Sequence, residues 1–315
     1  MPVYFFTATE SAHKQITKLY DFVWPTAAAM WNLRWQVAGY LQAVPNANVE
    51  QLRARFTEGA DIHGANLQRA CIDHGWDEQK DAFARILLVN TIAIYEGWLD
   101  EVLDTLGKNT KSLQTWLQFP ESVLGTGKGV RPAIAEITAV ESSVLKGSFF
   151  NELSNGHHYA LSKLDAMMLC YRFFKELRNS DMHGGGIAEQ RLVDAYTQFS
   201  AVATTADLGV LEVPIHFPAA IGTKAKLSLR GVVGFSHIVL KIIATLDAEL
   251  SRSGSAEKSF VKKWKLTNPH RVSLSSGTAK RENKVKRLVK KAGFPKPAKP
   301  DAFGDWLKQE ALVTF

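Results

Sequence analysis

The sequence predicts a mainly α-helical bundle carrying a small β-hairpin insertion and a basic C-terminal element. Three observations predict it. Apolar side chains recur at three- and four-residue spacing through 9–42, 76–106, 161–178 and 233–251, the period of a half-buried helix. Strand-like residues are confined to 211–217 and 224–230, with Pro214 suited to an edge. Fourteen Lys or Arg stand against Glu257 and Glu282 in 256–300, so that segment carries +12 of a net charge of +7 and the remainder sums to −5.

The elements follow in order. Residues 9–42 read as a long helix interrupted at Pro25, with Trp24, Trp31, Leu33, Trp35 and Tyr40 as large apolar contacts. Two shorter helices near 48–58 and 64–74 are punctuated by Gly64 and Gly75. The run 76–106 has the stripe Val89, Ile92, Glu96, Leu99, Leu103 and Leu106, one carboxylate where an apolar residue is expected. Either Glu96 finds a cationic partner or the helix turns and brings it to water at the rim. Residues 107–130 are loop-rich. Their fragment Leu124 to Val130 is no phosphate loop, because Ser122 stands at the first glycine position and Gly129 replaces the Ser or Thr that would hold magnesium.

The next helix carries the most informative stretch. Its stripe of Leu161, Leu164, Met167 or Met168, Tyr171 and Phe174 runs into Arg178, which is thereby placed toward the interior and in need of an anion. Glu96 is the candidate partner. His183 follows five residues later, roughly 140° around an ideal helix, and Gly184, Gly185 and Gly186 end the helix. An imidazole can take the proton of a ribose 2′-hydroxyl near neutral pH, and a guanidinium can hold charge growing on a phosphate, with no cofactor. The same residues also describe an ordinary cationic helix C-terminus. Beyond them come a helix near 188–204, the hairpin near 209–231 and a closing helix near 233–251.

The helix bearing Ile94, Tyr95, Glu96, Gly97, Trp98 and Leu99, followed by one ending in Arg178, Asn179 and His183, resembles the HEPN superfamily of helical-bundle ribonucleases, in particular its RiboL-PSP-HEPN-like members. Their signature is Arg, then four to six residues with a polar one first, then His; here four intervene and Asn179 is the first. The resemblance covers roughly residues 80 to 250. It implies a metal-independent endoribonuclease acting as a homodimer, two Arg178/His183 pairs meeting at one cleft. His183 would move protons, Arg178 would stabilise the attacked phosphate, and Asn179 and Glu96 would hold the geometry. Products would carry 2′,3′-cyclic phosphate and 5′-hydroxyl ends. A toxin or phage-defence role, with an antitoxin or defence-system partner protein, follows from family analogy. The alternative is a non-catalytic helical nucleic-acid-binding or adaptor protein.

Domain organisation is expected as 1–252, a helical domain with an N-terminal extension and a motif core of about 76–252, then 253–315 as a basic tail or small element. Within 253–315 the expected RNA contacts are Lys262, Lys263, Lys265, Arg281, Lys284, Lys286, Arg287, Lys290 and Lys291, because a basic amphipathic helix supplies salt-sensitive phosphate affinity. A cytoplasmic protein is expected: the N-terminus has no secretory pattern, Gly231 to Leu246 is too short and polar to span a bilayer, and Cys71 and Cys170 read as reduced thiols. No metal site is expected from the adjacent His157 and His158, nor from Asp61, His63 and His74. Ser-His-Asp catalysis lacks a nucleophile elbow.

Overall fold

The computed structural model describes residues 3–315, and a buried carboxylate sets where its first helix starts. Asp247 accepts from the N–H groups of Phe5 at 2.7 Å and Phe6 at 3.0 Å, immediately before α1 (Thr7–Ala43). An anion there satisfies free donors and faces the positive end of the helix dipole. Pro25 does not interrupt α1, contrary to expectation. A proline removes one N–H and crowds the carbonyl four residues back, yet Val23 and Ala27 are buried on either side and Thr26 Oγ1 donates to the Phe22 carbonyl at 2.7 Å, so tertiary packing carries the helix across. Past Pro25, α1 joins α2 (Val49–Thr57) and a π turn at Arg69–Asp73 around a small satellite core of Val37, Leu52, Leu67 and Cys71.

The centre is built from three long helices. In α3 (Trp76–Leu106) the buried face is Leu88, Ile92, Tyr95, Leu99, Val102 and Leu103, so the helix is turned slightly from the expected stripe: Val89 is exposed and Glu96 sits at the rim. Short helices α4 (Lys111–Trp116), α5 (Glu121–Leu124), α6 (Val130–Ile137), α7 (Ser143–Leu145) and α8 (Asn151–Ser154) wrap one end and bring Leu113, Leu117, Ile134, Leu145 and Phe149 to the same core. Helix α9 (Leu164–Gly184) buries Leu164, Met167, Met168, Tyr171, Phe174 and Leu177 against α3. Its Tyr171 meets Tyr95 at 4.8 Å between ring centres, and Phe174 stacks on Phe235 at 4.5 Å. Outside α9 lie α10 (Gln190–Ser200) and α11 (Thr205–Leu208), and α12 (Leu229–Ser251) completes the central layer.

The expected hairpin does not form. Residues 211–228 contain no strand, and Lys224 makes only an isolated bridge to Ile187. The reason lies in α12, where Gly231 and Gly234 have no side chain to hold the chain off. A Cβ on Gly231 would lie 2.1 Å from the Ile215 carbonyl oxygen, and one on Gly234 would lie 3.1 Å from the Pro214 Cα. The extended segment therefore lies against the helix instead of pairing with 224–230, whose last residues start α12.

Residues 253–315 are ordered and share the main core. Helices α13 (Gly254–Thr267), α14 (Thr278–Lys291) and α15 (Pro300–Gln309) bury Phe260, Trp264, Val285, Val289, Phe303 and Leu307. The Phe260 ring meets Phe294 at 4.6 Å and Phe303 at 5.4 Å, while Phe5 meets both Phe149 and Phe294. Two-residue strands β1 (Val272–Ser273) and β2 (Val313–Thr314) pair in parallel and tie the C-terminus down. Both α3 and α12 are long and apolar enough to cross a membrane by length and composition, α12 extending beyond Gly231 to Leu246 at both ends. Both contribute side chains to the main core, with 44% of the most apolar window of α3 and 67% of that of α12 buried.

Candidate active site

The end of α9 is fixed by its own backbone. Gly185 adopts φ 59° and donates its N–H to the Ser180 carbonyl, Gly186 follows at φ 82°, and Ser180 Oγ donates to the Ile187 carbonyl at 2.9 Å. Positive φ at both positions suits glycine and stops the helix there. The departing chain is held by Ala188 N–H on the Thr223 carbonyl and Ala225 N–H on the Gly186 carbonyl, both at 2.8 Å. Asp181 reinforces this end through an ion pair with Arg85 of α3, which also bonds Asp81 at 2.7 Å.

Glu96 and Arg178 meet across α3 and α9. Arg178 Nη2 lies 3.2 Å from Oε1 and 3.3 Å from Oε2 of Glu96. Both alternatives left open by the sequence hold together, since Glu96 is at the rim and paired. A second cation shares it: Lys175 Nζ donates to Glu96 Oε1 at 2.7 Å and also to Gln118 Oε1. Lys175 escaped notice in sequence, although Tyr171, Lys175 and Arg178 lie on one face at helical spacing, which is the signal that finds it. Behind this network Tyr171 Oη and Arg178 Nε are buried without hydrogen-bond partners among the described residues. Burial, with the Glu96 charge adding to it, holds the phenols of Tyr95 and Tyr171 well above their ordinary range.

His183 and Asn179 occupy a different space. They line a cleft of about 250 Å³ with Glu176, Ser180, Glu189, Arg191 and Leu192, and the His183 ring is exposed. Asn179 Nδ2 makes a long contact of 3.4 Å to Glu176 Oε2. Arg178 does not line this cleft; its guanidinium is turned to Glu96. Within one chain the histidine thus shares its cleft with Arg191, a cation that sequence reasoning missed because it lies beyond the glycine turn. An exposed imidazole beside an amide and a guanidinium can exchange protons with a hydroxyl and hold an anion.

The expected RNA-contacting residues are scattered. Arg281 is engaged inward, with its Nε 2.7 Å from Asp301 Oδ1 and its guanidinium 4.8 Å over the Phe315 ring. Lys263 reaches Thr7 Oγ1 at 3.3 Å and lies over Phe294, in a hollow that Lys262 also lines. Lys286 is 3.9 Å from Glu282, while Lys265, Lys290 and Lys291 are exposed. Lys284 and Arg287 come together, with Lys280 and Asn283, along a groove of about 630 Å³ between α14 and Ser273 to Ser275, where Lys284 Nζ donates to the Ser273 carbonyl at 2.6 Å. No carboxylate lines that groove. Lys280 was not singled out in sequence, although 280, 284 and 287 share one helical face.

A larger groove, about 970 Å³, opens beside Trp24 between α1, the start of α3 and residues 224–230. Arg85 and Lys224 carry it to within one residue contact of the α9 terminus, through Asp181 and Ile187. Its lining mixes Lys80, Arg85, Lys224, Lys226 and Arg230 with Asp77, Glu78 and Asp81. Cys71 and Cys170 are both buried free thiols. Among the described residues no three His, Cys, Asp or Glu side chains are grouped to hold a metal ion. Neither a protein-family model, nor a curated protein, nor a solved structure matches the chain.

Proposed function

We propose that the protein is a HEPN-type endoribonuclease that cleaves RNA without a metal, by attack of the ribose 2′-hydroxyl to give 2′,3′-cyclic phosphate and 5′-hydroxyl ends. One observation carries the reading: Glu96 of α3 grips Arg178 of α9 beside a cleft where His183 and Asn179 stand at the helix end. In this reading His183 moves the proton and Asn179 orients the substrate. Arg178 supplies charge to the phosphate of a cleft completed by a second copy, because its own His183 lies in a cleft that Arg178 does not line. The reading extends to a cytoplasmic toxin or phage-defence role with an antitoxin or defence-system partner protein, on family analogy alone.

The test is cleavage of RNA in EDTA by wild type, Arg178→Ala and His183→Ala, with product ends identified chemically. Loss of proton transfer costs about 10²- to 10⁴-fold, so both variants should fall near background while His183→Ala keeps its melting temperature. Wild-type rates in both variants would sink the assignment. A second reading, a non-catalytic nucleic-acid-binding protein, is favoured by the acid-free groove of Lys280, Lys284 and Arg287, which needs no chemistry at His183. RNA binding without cleavage under every condition would select it.

A further inference from the structure

Four histidines and a buried lysine gather on one side of the bundle, away from the α9 terminus in sequence. His13 comes from α1, His157 and His158 from the segment after α8, and His237 and Lys241 from α12, where a spacing of four puts them on one face. The His157 and His158 ring centres are 3.8 Å apart, and His158 and His237 are 5.6 Å apart. The segment is pinned along that face of α12: Ala160 N–H donates to Thr245 Oγ1 at 3.0 Å and Tyr159 Oη to Glu249 Oε1 at 2.6 Å. Lys241 is only 6% exposed.

None of these five cationic or potentially cationic groups has an ion pair among the described residues, and the nearby carboxylates are committed elsewhere. Glu249 is held by Tyr159 and Arg252, Asp247 by the N–H groups of Phe5 and Phe6, and Glu10 by Lys14. His158 Nδ1 is buried with no partner. A lysine with more than nine-tenths of its surface buried and no counter-charge among the described residues attracts a molecule that brings one. Burial, then the neighbouring imidazoles and Lys241, push His158 down to about 4; burial also lowers His13, His237 and Lys241. Each imidazole keeps at least one N–H to donate. A metal is poorly matched, because the imidazoles are not grouped at ligand spacing and the lysine would repel it.

We propose that His13, His157, His158, His237 and Lys241 form a binding site for a phosphate group, distinct from the Arg178/His183 motif. Donors contributed by three elements, with the His158 ring 3.8 Å from that of His157 and 5.6 Å from that of His237, suit an anion with several acceptor oxygens, and lysine serves such an anion as a point charge. The phosphate is either free or the terminal group of a nucleotide, and the same chemistry recognises both.

The test uses the full chain with His183→Ala, so that binding is read without cleavage. Imidazole resonances and melting temperature are followed while inorganic phosphate is added against sodium chloride of equal ionic strength. Phosphate should raise the titration midpoints of His158 and His237 and raise the melting temperature. Lys241→Met, which fills the buried position with an apolar chain, should stay folded and bind phosphate at least about tenfold more weakly, and Lys241→Arg should retain binding. A 5′-phosphorylated dinucleotide compared with its 5′-hydroxyl counterpart separates the sources: preference for the former over inorganic phosphate assigns an ester terminus, and parity assigns the free ion. No response of the imidazoles beyond the chloride control, or equal phosphate binding by Lys241→Met, overturns the site.

Discussion

Replacing Glu96 by Gln tests the joint between α3 and α9. The substitution keeps size and one acceptor oxygen but removes the charge that Lys175 and Arg178 share, leaving two cations three residues apart with Arg178 Nε already unpartnered. The side chains of Lys175, Arg178 and Glu96 are 17%, 22% and 35% exposed, between the surface and buried limits. Exposed pairs contribute about 0.2–1 kcal/mol and breaking a buried pair costs about 3–5 kcal/mol. Two partly screened contacts therefore predict a loss of about 1–2 kcal/mol, or a few degrees in melting temperature for a chain of this size. Denaturant titration of Glu96→Gln, Lys175→Met, Arg178→Met and the two double variants separates the contacts. Each cycle should give a coupling of about 0.5 kcal/mol or more. If Arg178 must be held to meet the phosphate, RNA cleavage falls about 10²-fold as well. Couplings indistinguishable from zero in both cycles would refute the joint; a full coupling with unchanged cleavage would keep it and remove its catalytic role.

Further expectations concern charge and core. Asp247 has its carboxyl raised to about 6 from 3.8 by burial, against the opposing effect of its hydrogen bonds. The folded state therefore holds this proton above the pH at which the unfolded chain releases it, so stability should fall as pH rises from about 4 through 6, on the order of 3 kcal/mol in total. Asp247→Asn should flatten that slope in pH-dependent denaturation, and an unchanged slope would assign it to another group. Charge reversal at Lys280, Lys284 and Arg287 should lower the dependence of log K on log salt by about 2 for single-stranded RNA, read by anisotropy; an unaltered slope would place the phosphate contacts elsewhere. Removing everything after residue 252 strips Phe260, Trp264, Val285, Val289, Phe303 and Leu307 from the core, at about 1.5–3 kcal/mol each. The truncated chain should fail to fold, and a cooperative melt at wild-type temperature would refute the shared core.

The sequence was legible where one local rule acted alone. The glycine stop after His183, the full span of Trp76–Leu106 and the Glu96 to Arg178 pairing follow from a 3.6-residue period with charge set into an apolar stripe on each helix. Reading failed where tertiary packing overrode a local signal. Pro25 looks like a break until Val23 and Ala27 are buried on both sides of it. Residues 211–217 look like a strand, but their partner turned out to be the glycine face of α12, and a missing side chain leaves no hydrophobic mark to read. In α14 the stripe Val285, Leu288 and Val289 marks a basic amphipathic helix in sequence, and what the surrounding charge hides is that this stripe packs into the main core.

Arg178 and His183 are five residues apart and diverge around α9, so the helix that aligns them in sequence also separates them in space. Arg178 is drawn to α3 because Glu96 and the packed Tyr171 lie there, and His183 is released toward α10 by the glycine turn. A single chain therefore presents a held guanidinium on one side and a free imidazole on the other. Chemistry on one phosphate needs both within a few ångströms. In the proposed dimer, a two-fold arrangement that sets the α9 end of one copy against that of the next would bring one chain's Arg178 toward the other's His183, whereas a strictly monomeric enzyme would have to use Arg191 as its cation. Cleavage measured on a mixture of Arg178→Ala and His183→Ala chains distinguishes the two. Mixed dimers regain one complete site, so activity should return to about a quarter of wild type if only heterodimers formed at random are active through one of two sites; no recovery, together with loss of cleavage in Arg191→Ala, would assign the reaction to a single chain.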